Sequence, residues 1–307
     1  MSTHQTAKTL YVQSPTIPDT KYAYRRLGTS TPGTPPLLIL THFRGVMDTF
    51  DPLLVNTLSS NRRVILFDYA GVGLSTGKAA TTVRESANHI LEFLSLIHEP
   101  KIDILGFSLG GIVAQLIALN ADPAKLVIRK LILAGTTPSA GEGILSSPNE
   151  EDVNKWAGAQ NVDVNAFKVL FFPQNKEGDD AAEQWFARIH ERNTFTSGED
   201  KVATWLSQGY ADGAVGLQAQ VSQLQHWGSL EGSEGLNGSF ARLGELTGAE
   251  VLVVNGHDDY MIPTVNSFVL QQKLPNGHLI VYPNSGHGAI FQYASLFSKH
   301  AQLFLGA

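Results

Sequence analysis

Short apolar runs alternate along this chain with segments of helical periodicity. The runs are rich in Ile, Val and Leu and have the length of parallel strands buried on both faces; they cover residues 36–41, 63–67, 102–107, 130–134, 251–255 and 279–282. Between them, residues 82–98 carry apolar side chains at the spacing of one helix face and end before Pro100. This alternation predicts an α/β fold with a doubly wound, mostly parallel sheet and helices on both faces. Residues 21–27 alternate instead like an antiparallel edge strand.

The strand pattern stops between residues 141 and 244, where amphipathic helical segments take over. Their large apolar side chains are Trp156, Phe167, Phe171, Phe172, Trp185, Phe186, Trp205, Tyr210, Leu224 and Trp227. We therefore predict a core of residues 1–140 and 245–307 with residues 141–244 inserted as a helical lid. The aromatic side chains fit an apolar cavity between lid and sheet, although packing between lid helices explains them more simply. Residues 228–244, rich in Gly and Ser, are expected to form a flexible return to the core.

Charge and residue usage disfavour several classes of partner. The chain has 22 Lys and Arg against 28 Asp and Glu, a net charge of −6, and no basic cluster. This balance disfavours nucleic acid and anionic membranes and favours a small-molecule substrate. The absence of cysteine excludes a thiol nucleophile, a thiolate metal site and disulfides. The amino terminus is polar and no apolar run has the length of a membrane span, so we expect a cytoplasmic protein without a signal peptide or transmembrane segment.

No motif predicts a cofactor or a metal ion. Residues 68–75 form a Gly-rich loop after a strand, but they lack the G-x-G-x-x-G spacing and no Walker lysine follows. A tight structural loop is the better interpretation. His257, Asp258 and Asp259 are adjacent, yet without further ligand spacing they do not make a metal site. We expect neither a cofactor nor a metal.

A candidate nucleophile, Ser108, stands in a G-x-S-x-G motif at residues 106–110, between a buried strand and a helical segment. A serine at such a junction occupies a very tight turn, and the glycines two residues on either side leave room for it. The turn pushes the hydroxyl outward. The Leu109 N–H and the positive end of the following helix suit a developing oxyanion.

A serine nucleophile needs a histidine base and an acid that orients it. His287 follows the last predicted strand, and loops at the carboxyl ends of parallel strands share the sheet edge where Ser108 emerges. Packing or solvated roles are the default for six others: His89 and His98 on or at the end of a helix, His190 and His226 in the lid, and His4 and His300 near the termini. Asp258 and Asp259 follow the strand at residues 251–255, and normally only one of two adjacent carboxylates can face His287. A structural alternative is that they cap the helix starting near Pro263.

The second oxyanion donor should come from the loop after residues 36–41, where the Phe43 or Arg44 N–H could supply it. The Arg44 guanidinium carries a charge toward an apolar pocket. It either pairs with a nearby acid such as Asp48 or holds a substrate carboxylate or polar ring substituent. The candidates for substrate binding are Phe43, Arg44, Phe107 and Tyr260.

Together these motifs resemble the α/β-hydrolase superfamily, specifically its lid-bearing branch with lipase-like, esterase-like and cofactor-free haloperoxidase-like members. The resemblance implies an eight-stranded-type, mostly parallel sheet with an inserted helical lid. Family spacing puts the acid three residues after a glycine and four before a proline, which selects Asp259 over Asp258. The family donor position maps onto Arg44, with Phe43 replacing the usual glycine. Because Ser108 occupies the elbow, branches with an aspartate nucleophile are disfavoured.

The predicted function is a serine hydrolase that cleaves a small or medium apolar ester, lactone or thioester through Ser108, His287 and Asp259. The same triad also supports carbon–carbon bond hydrolysis, acyl transfer, cyclisation or perhydrolysis, because fold does not dictate reaction. A non-catalytic protein that binds a small molecule in the hydrolase pocket is an alternative of another class. Contact between lids makes a homodimer conceivable.

Overall fold

The computed structural model describes residues 2–30, 32–159, 162–192, 210 and 212–306, and it contains the predicted doubly wound sheet. Eight strands are joined in the order β1-β2-β4-β3-β5-β6-β7-β8. β1 and β2 are antiparallel at one edge, and the pairs from β4 to β8 are parallel. The strands are β1 Leu10–Gln13, β2 Lys21–Leu27, β3 Leu37–Leu40, β4 Val64–Phe67, β5 Lys101–Phe107, β6 Val127–Ala134, β7 Glu250–Gly256 and β8 Gly277–Tyr282.

Helices cover both faces of this sheet. In chain order they are α1 Pro52–Leu58, α2 Val83–Leu96, α3 Leu109–Asn120, α4 Glu150–Ala157, α5 Val164–Leu170, α6 Lys176–Ile189, α7 Ala214–Trp227, α8 Val265–Lys273, α9 Ala289–Gln292 and α10 Ala294–Leu305. α2 packs on α3, whereas α1 packs on α10. α3 is buried from Leu109 to Ile117 because sheet, α2 and short helical turns all contact it. Among the described residues, no helix is long and apolar enough to cross a membrane.

The structure adds elements that the apolar pattern did not indicate. β1 has only four residues and is mostly exposed, so its three apolar residues are too few to be recognised as a strand. α1 begins at Pro52, and the Asp51 carboxylate accepts a hydrogen bond from the Leu53 N–H at its first turn. The C-terminal helical stretch is broken at Tyr293 into α9 and α10, because the backbone leaves helical geometry at this residue.

Residues 141–244, here called the inserted segment, lie between β6 and β7 and contain α4 to α7. Trp185 of α6 is fully buried and its ring stacks on Phe291 of α9 at a centroid distance of 5.5 Å. Arg188 of the same helix donates to the Asp51 carboxylate in the core. These contacts hold α6 of the inserted segment against α9 and against the residue that precedes α1. Trp205 lies outside the described residues.

The return of the inserted segment to the core is more ordered than its Gly and Ser content suggests. It forms 3-10 helices at Glu231–Ser233, Gly235–Asn237 and Phe240–Glu245. Ser139 and Ser239 exchange hydrogen bonds, each hydroxyl accepting the other residue's N–H at 3.0 to 3.1 Å. The Ser239 hydroxyl also donates to Gln115 on α3. Buried hydrogen bonds therefore tie this Gly- and Ser-rich segment to the core.

Strand register brings the carboxyl ends of the central strands to one level. Leu40 of β3 pairs with Gly106 of β5, and Gly106 pairs with Leu133 of β6. Gly256 of β7 is level with Tyr282 of β8. The loops that follow these strands consequently meet at one edge of the sheet.

Candidate active site

Ser108 occupies a strained turn between β5 and α3. Its backbone angles, φ of 55° and ψ of −120°, lie in a region that residues other than glycine rarely adopt. The Ser108 N–H donates to the Ala134 carbonyl at 2.9 Å, which holds the turn against β6. A Cβ at Gly106 would lie 2.4 Å from the Gly110 carbonyl oxygen, and one at Gly110 would lie 2.2 Å from the Leu40 carbonyl oxygen. Only glycine fits at either position, so the tight turn itself explains why the motif has glycine at both.

Asp259 and His287 form a buried pair at the same edge. The His287 Nδ1 lies 2.8 Å from Oδ2 of Asp259, and both side chains are fully buried. The other carboxylate oxygen of Asp259 accepts the N–H groups of Met261 and Ile262, each at 2.9 Å. Both oxygens are thus engaged, which fixes the carboxylate against the imidazole. Asp258 instead faces the surface and contacts the His257 ring at 2.9 Å.

The imidazole of His287 extends toward the turn that carries Ser108. A Cβ at Gly135, next to the Ala134 carbonyl that binds the Ser108 N–H, would lie 3.3 Å from Cε1 of His287. The His287 Nε2 is buried and, within the described part of the chain, has no hydrogen-bond partner. The Ser108 side chain lines the adjacent pocket. The Nε2 atom is therefore available to a proton donor at this edge, and such contacts commonly tighten only when substrate is bound.

The loop after β3 carries Arg44 in a left-handed conformation, with φ of 62°. The Arg44 N–H donates to Oε1 of Gln220 on α7 at 2.9 Å, and the same oxygen accepts the Tyr210 hydroxyl. Nη1 of Arg44 donates to the carbonyls of Ala157, the last residue of α4, and Ala159, two residues further on. Both the backbone and the guanidinium of Arg44 thus bind the inserted segment, and carbonyls at a helix C-terminus favour a cation.

The ion pair of Arg44 with Asp48 that we considered from sequence is wrong. Asp48 lies in the 3-10 helix Met47–Thr49 and forms ion pairs with Arg25 on β2 and with Arg192. The left-handed turn at Arg44 separates the two side chains, so their spacing of four residues does not bring them together.

His42 lies in the same loop and is almost fully buried. Its ring packs edge-on against Phe107 at 5.6 Å and Phe171 at 5.2 Å, and its Nδ1 lies 2.9 Å from the Phe43 carbonyl oxygen. Burial lowers the pKa of His42 from 6.5 to about 4, and the nearby His287 adds to this lowering. His42 is therefore uncharged at neutral pH.

Ser108 opens into a narrow pocket between the sheet edge and the inserted segment. The pocket is lined by His42, Phe43, Arg44, Ser108, Ala157, Val162, Phe167, Leu170, Phe171 and Met261. Of the predicted substrate-binding residues, Phe43 and Arg44 line this pocket. Phe107 is fully buried against the His287 ring at 5.0 Å. The Tyr260 hydroxyl is turned away to donate to Asp152 on α4.

Two residues of the inserted segment, Phe171 and Gln220, belong to this site and were not identified from sequence. Phe171 contacts the His287 ring, and Gln220 binds the Arg44 N–H. The aromatic pattern left Phe171 either at a cavity between lid and sheet or in packing between lid helices, without linking it to His287, and no spacing pattern links Gln220 to the loop after β3. In the described ranges, no group of three His, Cys, Asp or Glu side chains could hold a metal ion.

Comparisons with known proteins agree with this architecture. The family model described as alpha/beta hydrolase fold matches residues 35–293. A solved structure of an alpha/beta hydrolase fold protein from Chitinophaga pinensis is 32% identical, covers 99% of both chains and superposes with a TM-score of 0.82. The pimeloyl-(acyl-carrier protein) methyl ester esterase of Aeromonas hydrophila subsp. hydrophila is 27% identical, over 89% of this chain and 97% of that protein. The 2-hydroxymuconate semialdehyde hydrolase of Pseudomonas sp. strain CF600 is 25% identical, over 82% and 80% respectively.

Proposed function

Because the chain belongs to the α/β-hydrolase family, we propose that it is a serine hydrolase acting on a small or medium apolar ester, lactone or thioester. One observation carries the proposal. The strained Ser108 turn and the buried Asp259–His287 pair lie at the same sheet edge and beside one pocket. A relative that is named as a methyl ester esterase supports the choice of an ester.

The reaction follows from the positions of these groups. The Ser108 hydroxyl attacks the substrate carbonyl while Nε2 of His287 takes its proton. The Asp259 carboxylate fixes the imidazole tautomer with the proton on Nδ1 and stabilises the imidazolium that forms. His287 then gives the proton to the leaving alcohol or thiol as the C=O bond re-forms and the single bond from the acyl carbon to the leaving oxygen or sulfur breaks. Water attacks the acyl-serine in the second half, with His287 again accepting and returning a proton.

The oxyanion that forms in each half needs preorganised donors. Leu109 begins α3, so its N–H has no acceptor within the helix and supplies one donor. We assign the second to the Arg44 N–H, which an oxyanion reaches once it displaces Gln220 from that N–H. The Phe43 N–H in the same loop is the alternative donor.

The pocket lining favours an uncharged acyl group. Phe43, Val162, Leu170 and Met261 present apolar surface beside Ser108. The Arg44 guanidinium binds backbone carbonyls of the inserted segment, which assigns it to holding this segment over the pocket. The inserted segment accordingly acts as a lid on the core, and substrate enters between them.

The test is turnover of p-nitrophenyl esters of increasing acyl length by the wild type and by Ser108→Ala. Removal of the nucleophile should lower kcat by about 10⁶-fold for every ester that the wild type cleaves. Turnover that persists in Ser108→Ala would exclude the covalent mechanism. Product analysis with added alcohol, amine or peroxide separates hydrolysis from acyl transfer and perhydrolysis. Substrates with a cleavable carbon–carbon bond test carbon–carbon hydrolysis, and 2-hydroxymuconate semialdehyde tests the activity for which the Pseudomonas relative is named.

A further inference from the structure

The loop that carries His287 is held by the inserted segment as well as by the core. Phe171 follows α5, and its ring centroid lies 5.4 Å from that of His287 in an edge-on arrangement. The Phe171 carbonyl accepts the N–H of Gly288 at 2.7 Å. One residue of the inserted segment therefore contacts both the imidazole and the backbone beside it.

The glycines on either side of His287 are explained by this contact. A Cβ at Gly286 would lie 2.8 Å from the Phe171 carbonyl oxygen, and one at Gly288 would lie 3.0 Å from the Phe171 Cβ. Neither glycine has a positive φ, so backbone conformation does not require them. Their absent side chains leave the space into which the Phe171 backbone fits.

The imidazole is enclosed by two rings from different parts of the fold. Phe107 at the end of β5 lies 5.0 Å from it, and Phe171 lies 5.4 Å from it. Phe171 is itself braced by Phe167 at 4.9 Å and Trp185 at 5.6 Å. With Nδ1 bound to Asp259, these rings leave the imidazole no room to rotate.

We propose that Phe171 is a positioning residue for His287, whose ring and carbonyl together set the direction of Nε2 toward Ser108. This inference rests on the proposed function. It makes the junction of α5 and α6 part of the reaction centre, so a lid movement that displaces Phe171 also displaces the base.

Two substitutions test the contact from opposite sides. Phe171→Leu removes the ring and keeps the carbonyl. Gly288→Ala changes no pocket-lining side chain, and its backbone, at φ −81° and ψ 26°, accommodates alanine, but the added methyl would lie 3.0 Å from the Phe171 Cβ and so displaces Phe171 slightly from the loop. Phe172→Leu is the matched control for the first, because Phe172 is equally buried and contacts Phe171 and Trp185. Gly248→Ala is the control for the second, because a Cβ there meets nothing within 4 Å.

We expect Phe171→Leu and Gly288→Ala to lower kcat by roughly ten- to a hundredfold, because small displacements of a catalytic group cost this much. The fall should be the same for all acyl lengths, with a displaced acid limb of the pH profile and KM changed by less than about threefold. The two controls should retain kcat within about twofold. Wild-type kcat in both test variants would overturn the proposal. So would a loss confined to long acyl chains, which would mean that Phe171 only shapes the pocket.

A measurement without substrate separates this inference from the proposed function. The proton on Nδ1 of His287, bonded to Asp259, should give a downfield NMR resonance that is absent from His287→Gln. Phe171→Leu and Gly288→Ala should shift and broaden it, while the controls leave it unchanged. A resonance that is identical in all four variants would overturn the positioning role. If the resonance responds but the wild type cleaves no ester, the positioning holds and the proposed function fails.

Discussion

The two sides of Ser108 are built differently. On the proposed acid–base side, the Asp259 carboxylate has both oxygens engaged by core groups and holds His287 at 2.8 Å, and Phe171 of the inserted segment packs on the imidazole from outside. On the proposed oxyanion side, Arg44 has a φ of 62° and its N–H and guanidinium both bind the inserted segment. The acid–base pair is thus formed by core residues on which the inserted segment packs, whereas the loop of Arg44 is hydrogen-bonded directly to the inserted segment.

The largest expected effect is on the acid–base side. Asp259→Asn preserves the shape but removes the charge that stabilises the imidazolium and selects the tautomer, so kcat should fall by about 10⁴-fold. Asp258→Asn is the matched control, since the Asp258 carboxylate is exposed and contacts the neighbouring His257 ring rather than His287. Steady-state kinetics on one ester measures both. Equal losses in the two variants would contradict the assignment of Asp259.

Sequence reasoning reached these core residues because local rules determine them. Apolar runs, turn glycines and chain order together predicted the elbow, the strand ends and the loop of His287. The choice of Asp259 over Asp258 depended on family spacing, because local rules leave both carboxylates at the same edge. The contacts of Phe171 with His287 and of Gln220 with Arg44 could not be predicted. They join residues more than a hundred positions apart, and only the tertiary structure brings these residues together. The pairing of Arg44 with Asp48 failed because closeness along the chain does not bring the two side chains together, and Asp48 pairs with Arg25 and Arg192 instead.

The next effect concerns pH and the His42 side chain in the oxyanion loop. Burial lowers its pKa from 6.5 to about 4, so between these values the unfolded chain binds a proton that the folded protein does not. The contribution of His42 to stability is therefore lost as pH falls from 6.5 to 4, by about 3 kcal/mol at pH 4. In His42→Asn the free energy of unfolding should fall less steeply over this range.

Urea unfolding at several pH values from 4 to 7 measures this difference. His4→Asn is the control, because burial lowers the pKa of His4 to about 4 as well, at a position beside Met47 and away from the pocket. Both variants should flatten the pH dependence of stability, but only His42→Asn should also change kcat. A pH dependence in His42→Asn that equals the wild type's would mean that folding does not lower the pKa of His42.

The smallest expected effect is at Gln220, which competes with substrate for the Arg44 N–H. Gln220→Leu removes the acceptor, and the hydrogen bond that an oxyanion must displace is worth about 1 kcal/mol. We expect kcat/KM to rise by roughly three- to tenfold for short esters. Gln223→Leu is a suitable comparison, since Gln223 lies on the same helix and bonds to Ser86 and the Ala80 carbonyl instead. A fall in Gln220→Leu alone would show that this bond positions the loop and would transfer the donor role to Phe43.

If Ser108 is a nucleophile activated by His287, a fluorophosphonate should react with it, and peptide mass spectrometry locates the adduct. We expect one adduct, on the peptide that contains Ser108. It should be absent from Ser108→Ala and form much more slowly in His287→Gln. A folded wild-type protein that takes up no label, or one that is labelled at another residue, would contradict it.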